Sequence, residues 1–244
     1  MPELIQNPPL LLCPVGDNAV ALLFGETISA DIHRRILAVA QALEQQPFDG
    51  LVESVPAFTS LTVYYDPWVL SRQGTLDAYS EAVRLLGNLV EQAQEMQPEP
   101  ARVVELPVVY GGTFGPDLEE VAAHAGLSAE EVIQIHSNGS YQVYMIGFAP
   151  GFSYLGGMDE RLVAPRKAKP REKVPAGSVG IAGTQTGVYS VSTPGGWQLI
   201  GRTPLQLFNP NRKTPSLLQA GDRVRFVPIT PEEFLAIEEE QAWG

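Results

Sequence analysis

The 244-residue sequence is 44% hydrophobic and 18% charged, with 16 Lys and Arg against 28 Asp and Glu for a formal net charge of −12. That much apolar material excludes wholesale disorder, and the acidic surplus argues against a general binder of nucleic acid or anionic membrane, whose phosphates call for clustered cations. A single cysteine, Cys13, excludes an internal disulfide and a cysteine-built zinc site and fits a reducing compartment, while His33, His124 and His136 lie too far apart for a paired metal-ligand motif. The first 20 residues have no basic start, and Pro14 breaks their apolar run, so neither a secretory signal nor a membrane span is expected and the expected location is cytoplasmic.

The length suits one large domain or two small ones, and composition divides the chain near residue 100. Residues 1–100 carry 4 basic and 13 acidic side chains. Residues 139–227, by contrast, carry 11 basic and 4 acidic side chains and 13 of the 23 glycines. A basic, glycine-rich segment within an acidic chain is the first place to look for an anionic ligand.

In chain order, residues 18–24 read as a strand. Ser29 caps a helix in which Ile32, Ile36, Val39 and Leu43 form one apolar stripe. Residues 51–55 and 61–65 read as a hairpin, and Leu76, Tyr79, Val83, Leu86 and Val90 as a second amphipathic helix that ends before a polar, proline-bearing linker at 96–100. This β-α-β-β-α order, closed by a strand near 103–109, predicts a ferredoxin-like split βαβ domain over 1–100. No chemical constellation falls in it, so its expected role is scaffold and interface.

The second domain is expected over 101–244. Asp117 starts a short helix, and Ser128 and Glu131 have capping-box spacing before another. Beyond Gly139 come short β-rich runs at 142–146, 178–182, 188–191, 197–200, 205–208 and 223–227, separated by Gly and Pro turns, which predicts a closed or nearly closed barrel. Thr230, Pro231 and Glu233 open a final helix.

Four segments of this half carry candidate chemistry. In residues 147–158, Gly147, Pro150 and Gly151 bend the backbone while Phe152 and its aromatic neighbours supply walls, either for a ligand or for a packed barrel corner. Residues 165–177 interleave five cations with prolines in an extended loop. There Arg166 and Arg171 are the candidate anion contacts, because a guanidinium grips carboxylate or phosphate with two parallel donors. Gln185 and Thr186 read as hairpin-tip groups, able to orient a polar substrate or simply to turn the chain, and Trp197 as pocket wall or core. Arg202 follows a buried run and needs either an anionic ligand or an acidic partner such as Asp222. There is no GxxxxGK[ST] loop, no GxGxxG fingerprint and no GxSxG elbow, so the residues alone point to a small-molecule or anion-binding barrel without a self-sufficient catalytic set.

The ordered motifs PVVYGGTFGPDL, VYMIGFAPGFSYLGGM, APRKAKPREKVPAGSVGIAGTQTGVY, TPGGWQLIGRTP and GDRVRF resemble the family of 5-oxoprolinase B subunits, also labelled allophanate hydrolase subunit one or sporulation kinase inhibitor-like. The resemblance runs from about Val15 to Ile229, with Ser153 and Ser190 standing where the family pattern carries proline. It implies a cyclophilin-like β-barrel after the ferredoxin-like α+β domain. It also implies 5-oxoprolinase A and C subunits as partners, and ATP-dependent hydrolysis of the lactam of 5-oxo-L-proline to L-glutamate by an assembly in which this chain alone is inactive. The ATP site would be shared with the partners, without a metal motif in this chain. Gly147, Pro150, Gly151, Phe152, Arg166, Arg171, Gln185, Thr186, Trp197 and Arg202 would bind substrate, with His136 either transferring a proton or holding a structural hydrogen bond at its helix end. The competing readings that the resemblance opens are a module that inhibits a sensor histidine kinase and a component related to allophanate hydrolase or urea carboxylase.

Overall fold

A computed structural model describes residues 10–93 and 101–242. The chain forms two compact units, Met1–Pro100 and Ala101–Gly244. The expected linker at 96–100 lies outside the described residues.

The first unit contains β1 (Leu11–Pro14), β2 (Ala19–Leu23), α1 (Ala30–Gln45), β3 (Leu51–Pro56), β4 (Ser60–Tyr65), the single turn α2 (Pro67–Leu70) and α3 (Ala78–Ala93). Ser29 starts α1 by accepting the Ile32 amide at 3.1 Å. Ile32, Ile36, Val39 and Leu43 are all buried on one face, each contributing about 1.5–3 kcal/mol by leaving water. They pack with Val20 and Leu22 of β2 and with Leu61, Val63 and Tyr65, the alternate inward positions of β4. The sheet order is β1-β2-β4-β3 and every pair is antiparallel. The edge next to β2 is therefore taken by β1, not by the strand expected near 103–109. The hydrogen bonds of 103–109 are used in the second unit.

That unit contains β5 (Val103–Tyr110), α4 (Leu118–Ala125), α5 (Ala129–Asn138), β6 (Tyr141–Ile146), β7 (Ser153–Gly156), β8 (Arg171–Val174), β9 (Ser178–Ala182), β10 (Gln185–Val188), β11 (Thr193–Gly195), β12 (Gln198–Arg202), β13 (Arg223–Pro228) and α6 (Pro231–Ala242). Seven strands close into a barrel in the order β10-β7-β6-β13-β5-β12-β9, so no edge of this sheet stays open. β5 belongs here, between β12 and β13, and its pairing with β13 is parallel. α5 begins in a reciprocal cap between Ser128 and Glu131, and α6 in one between Thr230 and Glu233. The expected run at 205–208 forms only an isolated bridge between Phe208 and Ser216, and the run expected at 188–191 is centred earlier, as β10.

Leu106, Val108, Tyr141, Val143, Leu155, Val179, Ile181, Ile200 and Phe226 fill the barrel interior. All five residues of β9 are buried, because its other face is covered too. A two-stranded ribbon of β8 and β11 accompanies a second apolar cluster of Phe152, Val174, Ala182, Tyr189, Trp197 and Leu199. Trp197 lies against two glycines: a side chain at Gly180 would stand 3.1 Å from the Trp197 Cβ, and one at Gly187 3.0 Å from its ring. These glycines are the gaps into which the indole fits.

Candidate functional site

The basic segment 165–174 is tied down by one buried carboxylate. Asp117 precedes α4 but does not cap it with its side chain. Instead Oδ2 accepts the Leu199 amide at 2.7 Å, and Oδ1 accepts the Lys167 ammonium at 2.9 Å and the Arg171 guanidinium at 2.6 Å. Lys167 also reaches Glu120 at 2.7 Å, and Gln198 donates to Glu120 at 3.1 Å. Burial alone would raise the Asp117 carboxyl. The hydrogen bonds from Arg171, Lys167 and the Leu199 amide outweigh it and hold that carboxyl below its ordinary value. Backbone contacts run alongside: the Lys167 amide donates to the Gly196 carbonyl at 2.7 Å, and Arg171 stands opposite Gly195 in the ribbon. Two cations of the segment are thus matched by two acids. Arg166, next in sequence to Lys167, is exposed and meets no hydrogen-bond or ion-pair partner among the described residues.

Beside this cluster is a group of aromatic rings centred on Phe152. Its ring makes edge contacts with Phe148, Tyr154, Tyr189 and Trp197 at centroid distances of 5.4, 5.0, 5.4 and 5.7 Å. The loop leading to Phe152 is pinned at both ends, with the Gly147 amide donating to the Phe152 carbonyl at 3.0 Å and the Ser190 hydroxyl to the Pro150 carbonyl at 2.6 Å. Gly151 takes a φ of 72°, open to glycine, but Phe148 holds a φ of 69° and is 68% exposed. A bulky residue in that region is strained, and such strain concentrates at functional loops. Burial raises the Tyr189 hydroxyl above its ordinary value, while a backbone hydrogen bond at Trp197 and the fields of Arg166 and Arg171 pull the other way. Of the sequence-predicted site residues, the structure therefore gathers Gly147, Pro150, Gly151, Phe152, Trp197 and Arg171 around one aromatic cluster, while the residues on either side of Arg166 bond Gly196 and Gln198, the neighbours of Trp197.

His136 and Thr186 lie inside the barrel. The Thr186 hydroxyl donates to the Gly180 carbonyl at 3.0 Å, so at its 3.0 Å contact with His136 Nε2 it accepts. Nε2 therefore carries the proton, and Nδ1 accepts the Tyr110 hydroxyl at 2.8 Å. The ring is fully buried among Tyr110, Tyr141 and Phe226, and burial brings its pKa down to about 3. Both nitrogens are occupied and the ring is neutral at pH 7, the arrangement of the helix-end structural hydrogen bond. Thr186 is an inward β10 residue rather than a hairpin-tip group. The turn is formed by residues 183 and 184, and half-buried Gln185 pairs with Ala182 of the aromatic cluster.

Arg202 stands apart from these groups. It donates to the Ala176 carbonyl at 3.0 Å and lies over the Phe234 ring of α6 at 5.7 Å. Asp222, its candidate partner, instead forms a forked ion pair with Arg102 and caps the Gln219 amide. A depression of about 460 Å³ opens between the carboxyl end of α5 and Gly157, Asp159 and Arg161; the candidate segment 147–158 reaches it through Gly157, while Gly147, Pro150, Gly151, Phe152 and the candidates of the other segments do not line it. Among the described residues, no group of three or more His, Cys, Asp or Glu could hold a metal ion, and no helix is long and apolar enough to cross a membrane. Sequence reasoning missed Asp117, Glu120 and Gln198 as parts of the site. The available signal was an acidic residue before a helix facing, some fifty residues later, an excess of cations.

The family described as carboxyltransferase domain, subdomain C and D, matches residues 10–218. Over 229 residues the chain is 52% identical to the 5-oxoprolinase B subunit of Bacillus subtilis (strain 168), covering 93% of this chain and 95% of that protein. The chain belongs to the family of 5-oxoprolinase B subunits. Its relative of the same name from Escherichia coli O157:H7 is 47% identical over 214 residues, 88% of this chain and 94% of that protein. A crystal structure of TTHA0988 matches with a TM-score of 0.74 at 43% identity over 87% of this chain, which spans 40% of the length of that longer chain. The K. lactis urea amidolyase matches 98% of this chain with a TM-score of 0.72 at 20% identity, while 16% of the amidolyase is covered, a likeness of fold. Family membership and the closed barrel agree with the resemblance carried by the motifs.

Proposed function

We propose that this chain is the B subunit of an ATP-dependent 5-oxoprolinase that opens the lactam of 5-oxo-L-proline to L-glutamate. The observation that carries this reading is the 52% identity to the Bacillus subtilis 5-oxoprolinase B subunit, over 95% of that protein's length. In this reading the barrel is cyclophilin-like, and the first unit is a ferredoxin-like sheet whose fourth strand comes from the amino-terminal side, serving as scaffold and interface. The partners are subunits of the A and C types, and the protein works in the cytoplasm.

A lactam carbonyl is a poor electrophile. Transfer of the γ-phosphoryl group of ATP to the lactam oxygen makes the carbon attackable by water. The C–N bond then breaks as the nitrogen takes a proton, and a second water releases phosphate from the resulting acyl phosphate. The charge that has to be stabilised is anionic throughout: a substrate carboxylate, a triphosphate and a developing oxyanion. This chain offers Arg166 and the aromatic cluster toward that task. It has no P-loop motif, and Lys167 and Arg171 already serve its own acids, which supports an ATP site completed by partner subunits. The match to a part of the longer TTHA0988 chain supports the same division of labour. His136 receives no proton-transfer role here, because neither ring nitrogen is free.

The test is to purify the chain, combine it with its A-type and C-type partners, and measure glutamate release from 5-oxo-L-proline with and without ATP. Release by the full assembly, dependent on ATP and absent for the chain alone, is the expected result. An assembly that releases no glutamate overturns the proposal.

A further inference from the structure

The ribbon segment carries five cations, and the structure divides them unequally. Lys167 and Arg171 are only 24% and 27% exposed at their side chains and converge on one oxygen of Asp117, whose side chain is itself 4% exposed. Together with Glu120, two positive charges meet two negative ones, so this part of the cluster contributes little net attraction for an added anion. Its hydrogen bonds do something else: they fix the path of 165–174. The Asp117 amide donates to the Leu199 carbonyl, its carboxylate takes the Leu199 amide, and the Lys167 amide bonds Gly196. The result is that Pro165 and Lys167, the neighbours of Arg166, are both held: the Pro165 carbonyl accepts from Gln198 at 3.1 Å.

Arg166 is the residue between those two anchors. Its side chain is exposed and unpaired among the described residues, as are those of Lys169 and Lys173, but of the three it alone carries a forked guanidinium and sits between two anchored neighbours. A guanidinium with a free fork, on a backbone held between residues bonded to Gly196 and Gln198 on either side of Trp197, suits a small molecule that carries one carboxylate. We propose that Asp117 is a positioning residue: by holding Lys167 and Arg171 it fixes the ribbon segment against β12 and leaves Arg166 as the arginine that meets the substrate carboxylate. The identity of that substrate rests on the function proposed above, and the positioning by Asp117 does not.

The experiment uses the complete assembly with 5-oxo-L-proline and with γ-butyrolactam, the same ring without the carboxylate. Arg166→Gln raises KM for 5-oxo-L-proline about 10- to 100-fold, the loss expected for a charge-assisted hydrogen-bonded pair, while kcat stays within about threefold. Arg166→Lys recovers part of that loss, and Arg166→Gln lowers kcat/KM for γ-butyrolactam much less than for 5-oxo-L-proline. Asp117→Asn raises the same KM, and Asp117→Glu recovers part of it. In the same samples, hydrogen exchange at the ribbon amides of β8 quickens in Asp117→Asn while the β6 amides keep their protection.

An unchanged KM in Arg166→Gln overturns the carboxylate contact, and unchanged ribbon exchange in Asp117→Asn overturns the positioning role. If the wild-type assembly releases no glutamate, the substrate reading and the contact to it fail together. The exchange measurement still decides the role of Asp117.

Discussion

Two polar groups in the second unit are built on opposite principles. The line from Tyr110 through His136 and Thr186 to the Gly180 carbonyl is buried and neutral, with each donor matched to an acceptor. The cluster of Asp117, Glu120, Lys167 and Arg171 is charged and half open to water, and it ends on a cation with nothing to pair with among the described residues. The first group leaves no valence for a ligand. The second uses its internal pairs to set geometry and leaves Arg166 between two of its anchors unpaired among the described residues. Buried polar groups near a functional region are thus not equivalent, and what separates them is whether the donor and acceptor count closes.

That contrast can be broken by substitution. The largest expected effect is His136→Leu, which leaves the Tyr110 hydroxyl buried without its acceptor and the Thr186 hydroxyl without its donor. A loss of about 2–4 kcal/mol in urea unfolding is expected. Acid should act on the same group. The folded-state pKa of His136 is about 3, against 6.5 for an ordinary histidine, so between those values the unfolded chain binds the extra proton. Stability therefore falls as pH drops below about 6.5, by about 1.4 kcal/mol per unit at the steepest. Unfolding curves at pH 7 and pH 5 will show this slope in wild type and a shallower one in His136→Leu.

Asp117→Ala is expected to cost less, about 1–3 kcal/mol, because the stranded Lys167 and Arg171 can turn partly to water. Its carboxyl is held below the ordinary aspartate value, so this contribution is present at neutral pH and is lost only as pH falls below about 4. Unfolding of the variant and of wild type at pH 7 and pH 3 checks both the size and the sign. Arg166→Gln is the smallest: unfolding within about 0.5 kcal/mol of wild type, since the side chain has no partner to lose. A large destabilisation there would show that Arg166 belongs to the closed kind of group after all.

Legibility in the sequence followed the range of the interactions. Helices were readable to within a turn because their signals are local: Ser29, the Ser128–Glu131 pair and the Thr230–Glu233 pair all make the expected caps. The second helix begins at Ala78 rather than at Leu76, which is 43% exposed. Strand partners were not readable, since β1 and β5 are both short apolar runs and nothing near them in sequence says which sheet will accept them. Of the site, the aromatic loop and the cationic segment were legible from composition. The sorting of the cations was not, because Asp117 lies 50 and 54 residues before the side chains it neutralises. Likewise Asp222 is the nearer candidate for Arg202 in sequence, yet Arg102, at the start of the unit, takes that carboxylate. Thr186 looks like a turn residue because the partners that draw its hydroxyl inward, the Gly180 carbonyl across the sheet and His136 50 residues away, are set by the fold.

The parallel seam between β5 and β13 bears on the order of events during synthesis. β5 emerges from the ribosome first among the barrel strands, yet one of its two flanks is β13, the last of them. The circle cannot close until residue 228 has been made, and until then β5 and β6 each present a raw edge to the surroundings. The four-stranded sheet of the first unit draws all its strands from residues 11–65 and can be complete long before. The nascent chain thus carries a finished amino-terminal sheet while its barrel is still open, and the barrel becomes a closed surface only after translation has passed that final strand.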